Sequence, residues 1–161
     1  MNEFRPTILI TFGPEGVYLH PDHVSVHHAS MAAIMQASTD SAAHRPSCMV
    51  FVAVPREFFL EVWREPGGMF EDVPYEMLLQ MGTPRDEITH LVDAGDWLPQ
   101  KRAALARHRS QFGDKAPLSD IDPEIASRIL NTEHFKQHQL PWDESEPVSF
   151  PLGQSVNDDS L

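Results

Sequence analysis

Apolar and β-branched residues from Thr7 to Phe12, the turn formers Gly13-Pro14-Glu15-Gly16, and a second apolar stretch from Val17 to Leu19 predict a β-hairpin with a four-residue connection. Pro21-Asp22 marks a further turn, and Val24-Ser25-Val26-His27 alternates as a short third strand does. Met31, Ile34 and Met35 then recur at helical spacing among alanines, which predicts a helix over Ser30 to Thr39 whose apolar stripe packs on the sheet. After the polar stretch Thr39 to Ser47, the unbroken apolar run Cys48 to Val54 has the character of a central strand covered on both faces. Pro55 suits a first helical turn, and Phe58, Phe59, Val62 and Trp63 give one apolar side to a helix over Arg56 to Glu65 that Pro66-Gly67-Gly68 stops.

Past that break Val, Ile and Thr thin out, and Leu, Met, Ala and Arg take over at helical spacing, so helices are predicted near 74–81, 85–94 and 99–112. A last helix, Pro123 to His138, starts behind Asp122, a good N-cap with Pro123 at the first helical position, and Ile125, Ile129 and Leu130 form its apolar side. Beyond Leu140, three prolines separated by acidic residues cannot bury enough surface to offset ordering entropy. The expected fold is α+β: an α/β module over 1–65 (a small sheet with an N-terminal β-hairpin and two packing helices), a helical region over 66–140, and a flexible acidic tail over 141–161.

Charge changes the picture. The 161 residues carry 24 acidic against 12 basic side chains, a net charge of -12. Half of that surplus lies after residue 114, where Asp120, Asp122, Glu124, Glu133, Asp143, Glu144, Glu146, Asp158 and Asp159 face only Lys115, Arg128 and Lys136. Such a surface repels phosphate backbones and steers basic proteins toward it, which argues against direct nucleic-acid binding and for a basic protein partner. A homodimer is compatible with the pattern. The stretch Ile8 to Ile10 is too short for a signal-peptide core and the run Cys48 to Val54 too short to span a bilayer, so a cytoplasmic protein without a membrane segment is expected. The single cysteine, Cys48, rules out an intramolecular disulfide and suits a reducing compartment.

Candidate chemistry is sparse. His20, His23, His27 and His28 gather around Asp22, residue types that bind transition metals, but on a strand His27 and His28 point to opposite faces. Exposed histidines around a turn are the simpler reading, and a His-based metal-dependent enzyme stays a second alternative. Cys48 at the head of an apolar strand has the setting of an inert buried thiol. Gly13-Pro14-Glu15-Gly16 lacks the lysine and hydroxyl of a phosphate loop, and Glu15 would repel a phosphate. No catalytic residue, metal ligand or cofactor is assigned.

Glu76 to Gly82, followed by Thr83 to Pro99 with its Ala94-Gly95-Asp96 and Leu98-Pro99, resembles the helix-turn-helix of MerR- and excisionase-type DNA-binding domains over about 24 residues. The resemblance implies Arg85, Thr89 and His90 on a recognition helix and Lys101, Arg102, Arg107 and Arg109 on phosphates, making a transcriptional regulator the first alternative. The same stretch also reads as a packed helical hairpin. The leading expectation is a non-enzymatic acidic inhibitor of bacterial or phage type. Asp120, Asp122, Glu124, Asp143, Glu144 and Glu146 would steer its basic partner, and Trp142 and Phe150 would anchor it.

Overall fold

The computed structural model describes residues 2–64, 70–112, 121–142 and 154–156. They form an α+β fold around a five-stranded mixed sheet of order β1-β2-β4-β3-β5. Strand β1 (Ile8–Phe12) is followed by a one-turn segment α1 (Gly16–Leu19) and the long helix α2 (Pro21–Thr39), which returns the chain to β2 (Cys48–Ala53) parallel to β1. Helices α3 (Arg56–Trp63) and α4 (Tyr75–Leu78) come next, then β3 (His90–Asp93), α5 (Leu98–Leu105), α6 (Arg109–Phe112), α7 (Pro123–Asn131), β4 (Thr132–His138) and the short β5 (Gln154–Ser155). Strand β4 lies antiparallel between β2 and β3, and β5 pairs antiparallel with the outer side of β3. The carboxyl ends of β1, β2 and β3 therefore share one edge of the sheet with the amino end of β4.

The alternation of side chains along β2 divides the core. Met49 and Phe51 pack with Ile34 of α2 and Leu140, while Cys48, Val50 and Phe135 form the opposite cluster with Ile8, Val52 and Val92. A third cluster, Val17, Phe59, Leu78 and Met81, lies beyond the strand ends and ties α1, α3 and α4 together. The run Cys48 to Val54 is thus a central strand, as its unbroken apolarity predicts.

Four expectations need correction. The hairpin is absent: after Phe12 the chain enters α1 and then α2, and Val24 to His27 is helical. Four alternating residues do not separate a period of two from one of 3.6, and Pro21 at the first helical position with Asp22 in the first turn favours a helix. Within the predicted helix 85–94, Arg85–Glu87 is a 3-10 turn and His90–Asp93 is strand, because Pro84 starts a tight turn and Thr89 and Val92 fit a pleated surface. Helix α7 starts behind Asp122 as predicted, with the carboxylate accepting from the N–H groups of Glu124 (2.8 Å) and Ile125 (3.2 Å), but it ends at Asn131. Thr132–His138 is drawn into the sheet by ladders on both sides, a tertiary gain that outweighs local preference. Strands β3 and β4 also join the sheet of the first 65 residues, and Gln154–Ser155 is paired to β3, so these two residues are not part of a loose tail.

Residues 81–84 extend the edge beyond β2. Thr83 donates its N–H to the Val54 carbonyl (2.8 Å), Arg56 donates to Thr83 O (3.1 Å), and Gly82 donates to the Val17 carbonyl at 2.7 Å. Gly82 sits at φ +65°, and a Cβ there would lie 2.8 Å from Val54 O and 2.9 Å from Phe59 Cδ2. Both conditions require glycine. Gly82→Ala is expected to destabilise the fold by roughly 1–3 kcal/mol, the usual cost of a strained backbone position, and chemical denaturation monitored by circular dichroism measures it; an unchanged midpoint would contradict this role.

Candidate active site

The turn that carries the chain off β1 is strained. Gly16 (φ 55°), Val17 (φ 67°) and Leu19 (φ 63°) all lie at positive φ, and Val17, with ψ -62°, adopts a γ-turn that a β-branched residue seldom accepts. Such conformations cost about 1–3 kcal/mol each and persist where surrounding contacts dictate them. Here those contacts are the buried Val17 side chain, packed near Phe59, Leu78 and Met81, and the Gly82 N–H on its carbonyl. Glu15 is tethered as well, accepting from the hydroxyl of the buried Thr83 at 2.9 Å.

Beyond this turn the strain delivers two half-buried imidazoles. His20 is the N-cap of α2, and its Nδ1 accepts from the Asp22 N–H at 3.2 Å. An accepting Nδ1 carries no proton, so the neutral ring holds its proton on Nε2. His23, one turn into α2, has the opposite arrangement. Its Nδ1 lies 3.1 Å from the Gly16 carbonyl, which can only accept, so Nδ1 is protonated and Nε2 presents a lone pair. The His23 ring stacks on Phe12 at 4.0 Å, and Tyr18 stands edge-on to His20 (5.6 Å) and His23 (5.3 Å). With ring centres 4.8 Å apart, one imidazole presents a proton acceptor and the other a hydrogen-bond donor, a pairing suited to a general base beside a polarised carbonyl. They sit past the carboxyl end of β1, beside the carboxyl end of β2, where open sheets with parallel strands bind ligands.

The other members of the histidine cluster do not join them. His27 is buried, with its Nδ1 donating to the Phe12 carbonyl at 3.0 Å, and His28 is exposed on α2. Among the described residues no group of three His, Cys, Asp or Glu is placed to hold a metal ion.

Most other sequence-predicted positions serve the fold. Thr89 donates its hydroxyl to the Phe135 carbonyl (3.2 Å) and accepts the Gln137 N–H (2.7 Å), and His90 is 5% exposed within β3. Lys101 donates to Leu130 O (2.8 Å) and pairs with Glu133 (2.7 Å), whereas Arg85 and Arg102 are exposed. Thr89 and His90 therefore lie outside any helix, and the helical face expected for DNA contact is not formed. Trp142, expected as a free anchor, is half-buried: its Nε1 donates to Pro46 O (3.0 Å) and Arg45 lies over its ring. Asp122 caps α7, Glu124 is exposed in its first turn, and Asp120, Asp143, Glu144, Glu146 and Phe150 lie outside the described residues.

No protein-family model matches the chain. Curated relatives do. The Saccharopolyspora erythraea protein named 1D-myo-inositol 2-acetamido-2-deoxy-alpha-D-glucopyranoside deacetylase 1 is 31% identical over 148 residues, covering 84% of this chain and 46% of the relative. Deacetylases of the same name from Thermobifida fusca (29% over 142 residues) and Rhodococcus jostii (30% over 152) each match 84% of this chain and 49% of their own length. The chain spans about half the length of these relatives. Their names overturn the expectation of a non-enzymatic inhibitor and point to an enzyme. Among the described residues no helix is long and apolar enough to cross a membrane.

Burial also gives the sheet a pH dependence. It pushes His90, His134 and His138 below the usual 6.5; at His134 Glu133 partly opposes this, and at His138 the neighbouring His27 and Lys136 add to it. The unfolded chain then binds the proton more readily, so the contribution of these neutral rings is complete above about pH 6.5 and is lost as pH falls below it. Urea unfolding is expected to show lower stability at about pH 5.5 than at about pH 7.5, with the difference reduced in His134→Gln. Equal stability at both would remove this linkage.

Proposed function

We propose that this chain carries part or all of an amide-hydrolysing site that removes the acetyl group from an N-acetylated amino sugar. The observation that carries the reading is the pair of oppositely protonated imidazoles on a strained turn, in a chain whose relatives are named as deacetylases of an acetamido-sugar linked to inositol. The chemistry asks for what this pair offers. His23 Nε2 takes a proton from water as its oxygen attacks the amide carbon, and the imidazolium so formed gives that proton to the departing nitrogen as the C–N bond breaks, while His20 Nε2–H donates a hydrogen bond to the carbonyl oxygen. Acetic acid and the free amine leave, the acid releases its proton to solvent, and His23 is neutral again with His20 unchanged. The phenol of Tyr18, 39% exposed beside both rings, supplies a hydrogen-bond donor for the negative charge that develops on the carbonyl oxygen.

The buried setting of the single thiol, Cys48, supports a reducing compartment such as the cytoplasm as the place of action. Acetate release from the N-acetylglucosaminyl inositol, measured for the purified protein, tests the reading. His23→Ala is expected to lower the rate by about 10²–10⁴-fold, the usual contribution of a positioned acid or base, while His28→Ala, on the outer side of α2, leaves it unchanged. A His23→Ala protein as active as the parent would contradict the assignment.

A further inference from the structure

The sheet ends on β1, and that border has the character of a covered strand. Cys48 donates its N–H to the Thr7 carbonyl (3.3 Å) in the parallel register that pairs Ile8 with Cys48 and Phe12 with Val52, so Thr7, Leu9 and Thr11 turn their backbone groups toward β2. Those of Ile8 and Ile10 point away from it, and among the described residues no strand lies on that side. Edges that face water are usually blunted by a lysine, a proline, a bulge or an inward-pointing charge. Thr7 to Phe12 contains none of these residues, and the ladder to β2 is unbroken over five pairs. Ile10, in the middle of the strand, is 47% exposed.

Helix α2 lies over the same border. The Thr11 and Ser30 hydroxyls are 2.8 Å apart, and Leu9 and Met31 pack with Ile34 and Met49. Leu9 faces this helix and Ile8 the opposite cluster, so Ile10, which shares the face of Ile8, projects on the side away from α2. From His23 to Thr39 the helix carries no Asp, Glu, Lys or Arg, in a chain of which 22% is charged. Val26 and Met35 are 45% and 55% exposed. A surface helix normally turns a charged face to water. Outward backbone groups, Ile10 and a charge-free helix together make a border that is apolar on both faces of the sheet.

A second copy would bring another net charge of -12 against the first, which opposes self-association. The relatives suggest a different occupant. The match covers 46% of the Saccharopolyspora erythraea deacetylase and 49% of the Thermobifida fusca one, which leaves about half of each outside it. We propose that β1 receives a strand from a partner polypeptide corresponding to that unmatched half, hydrogen-bonded to Ile8 and Ile10 and packed by apolar side chains on Ile10 and the outer side of α2. His20 and His23 stand past the carboxyl end of β1, and in open parallel sheets the ligand crevice forms between the carboxyl ends of neighbouring strands. A strand laid parallel to β1 gives these imidazoles a second wall. In that respect the proposal rests on the amide-hydrolysis reading.

The 161-residue chain, alone and co-produced with the unmatched half of the S. erythraea deacetylase, tests it by light scattering and amide hydrogen exchange. Alone, a monomer of 18.2 kDa is expected, with fast exchange at Ile8 and Ile10. Together, a one-to-one complex should form and slow exchange at both amides by at least about tenfold, the mark of new ladder hydrogen bonds. Ile10→Glu, shown to be folded by circular dichroism, should weaken the complex by at least about tenfold, because its carboxylate would be buried without a partner. Trp97→Ala, at an exposed ring before α5, should leave the complex unchanged. The assignment is overturned by a dimer of the chain alone with these amides protected, by failure to form the complex, by a complex that leaves β1 exchange as it was, or by Ile10→Glu binding like the parent. A complex that protects β1 yet releases no acetate would support the interface and overturn the hydrolytic reading. Acetate release by the chain with no complex formed would overturn the interface and leave that reading standing.

Discussion

The hydrogen bond from the Gly82 N–H to the Val17 carbonyl, 2.7 Å long, holds in place the backbone on which the candidate site depends. Left to its local preferences, a valine would not occupy φ 67° and ψ -62°. The bond, the burial of the Val17 side chain against Phe59, Leu78 and Met81, and the space reserved by a glycine at position 82 together make the unfavourable conformation the favourable one. Packing at the ends of β1 and β2 thus determines where His20 and His23 stand. Strain concentrated in a turn that carries ionisable side chains is a common feature of sites that must be organised before the substrate arrives.

Chemistry follows from that placement through the hydrogen bonds each ring makes on its far side. A backbone N–H fixes the proton of His20 on Nε2, and a backbone carbonyl fixes that of His23 on Nδ1. Two identical side chains become a donor and an acceptor through their backbone partners, and the stack on Phe12 holds the acceptor ring in its plane. The sheet adds a shared edge, at which the carboxyl ends of β1, β2 and β3 meet.

The central strand Cys48–Ala53, helix α3 and the Asp122 cap of α7 were legible because each has an unambiguous local signal: an unbroken apolar run, one apolar side, or a short acceptor before proline. Strands β3 and β4 were hidden. Thr132–His138 alternates but contains Glu133 and Lys136, and its strand character comes from partners 80 residues and more away along β2. The site was half visible. His20-Pro21-Asp22-His23 contains the signals of a helix start, yet Val24 and Val26 mimic an alternating strand, and no residue type in Val17-Tyr18-Leu19 announces positive φ. The acidic surplus was read as the basis of partner binding. Where its members are described, Asp122 caps a helix and Glu133 pairs with Lys101, so part of that charge belongs to the fold.

The central claim is that the turn at Val17 fixes His20 and His23 in opposite neutral tautomers. Nitrogen-15 NMR of the imidazole rings reads it directly. The account predicts a protonated Nε2 and bare Nδ1 in His20, and a protonated Nδ1 and bare Nε2 in His23, with His23 losing that preference in Gly82→Ala. Finding both rings in the same tautomer, or both exchanging freely between the two forms, would contradict it.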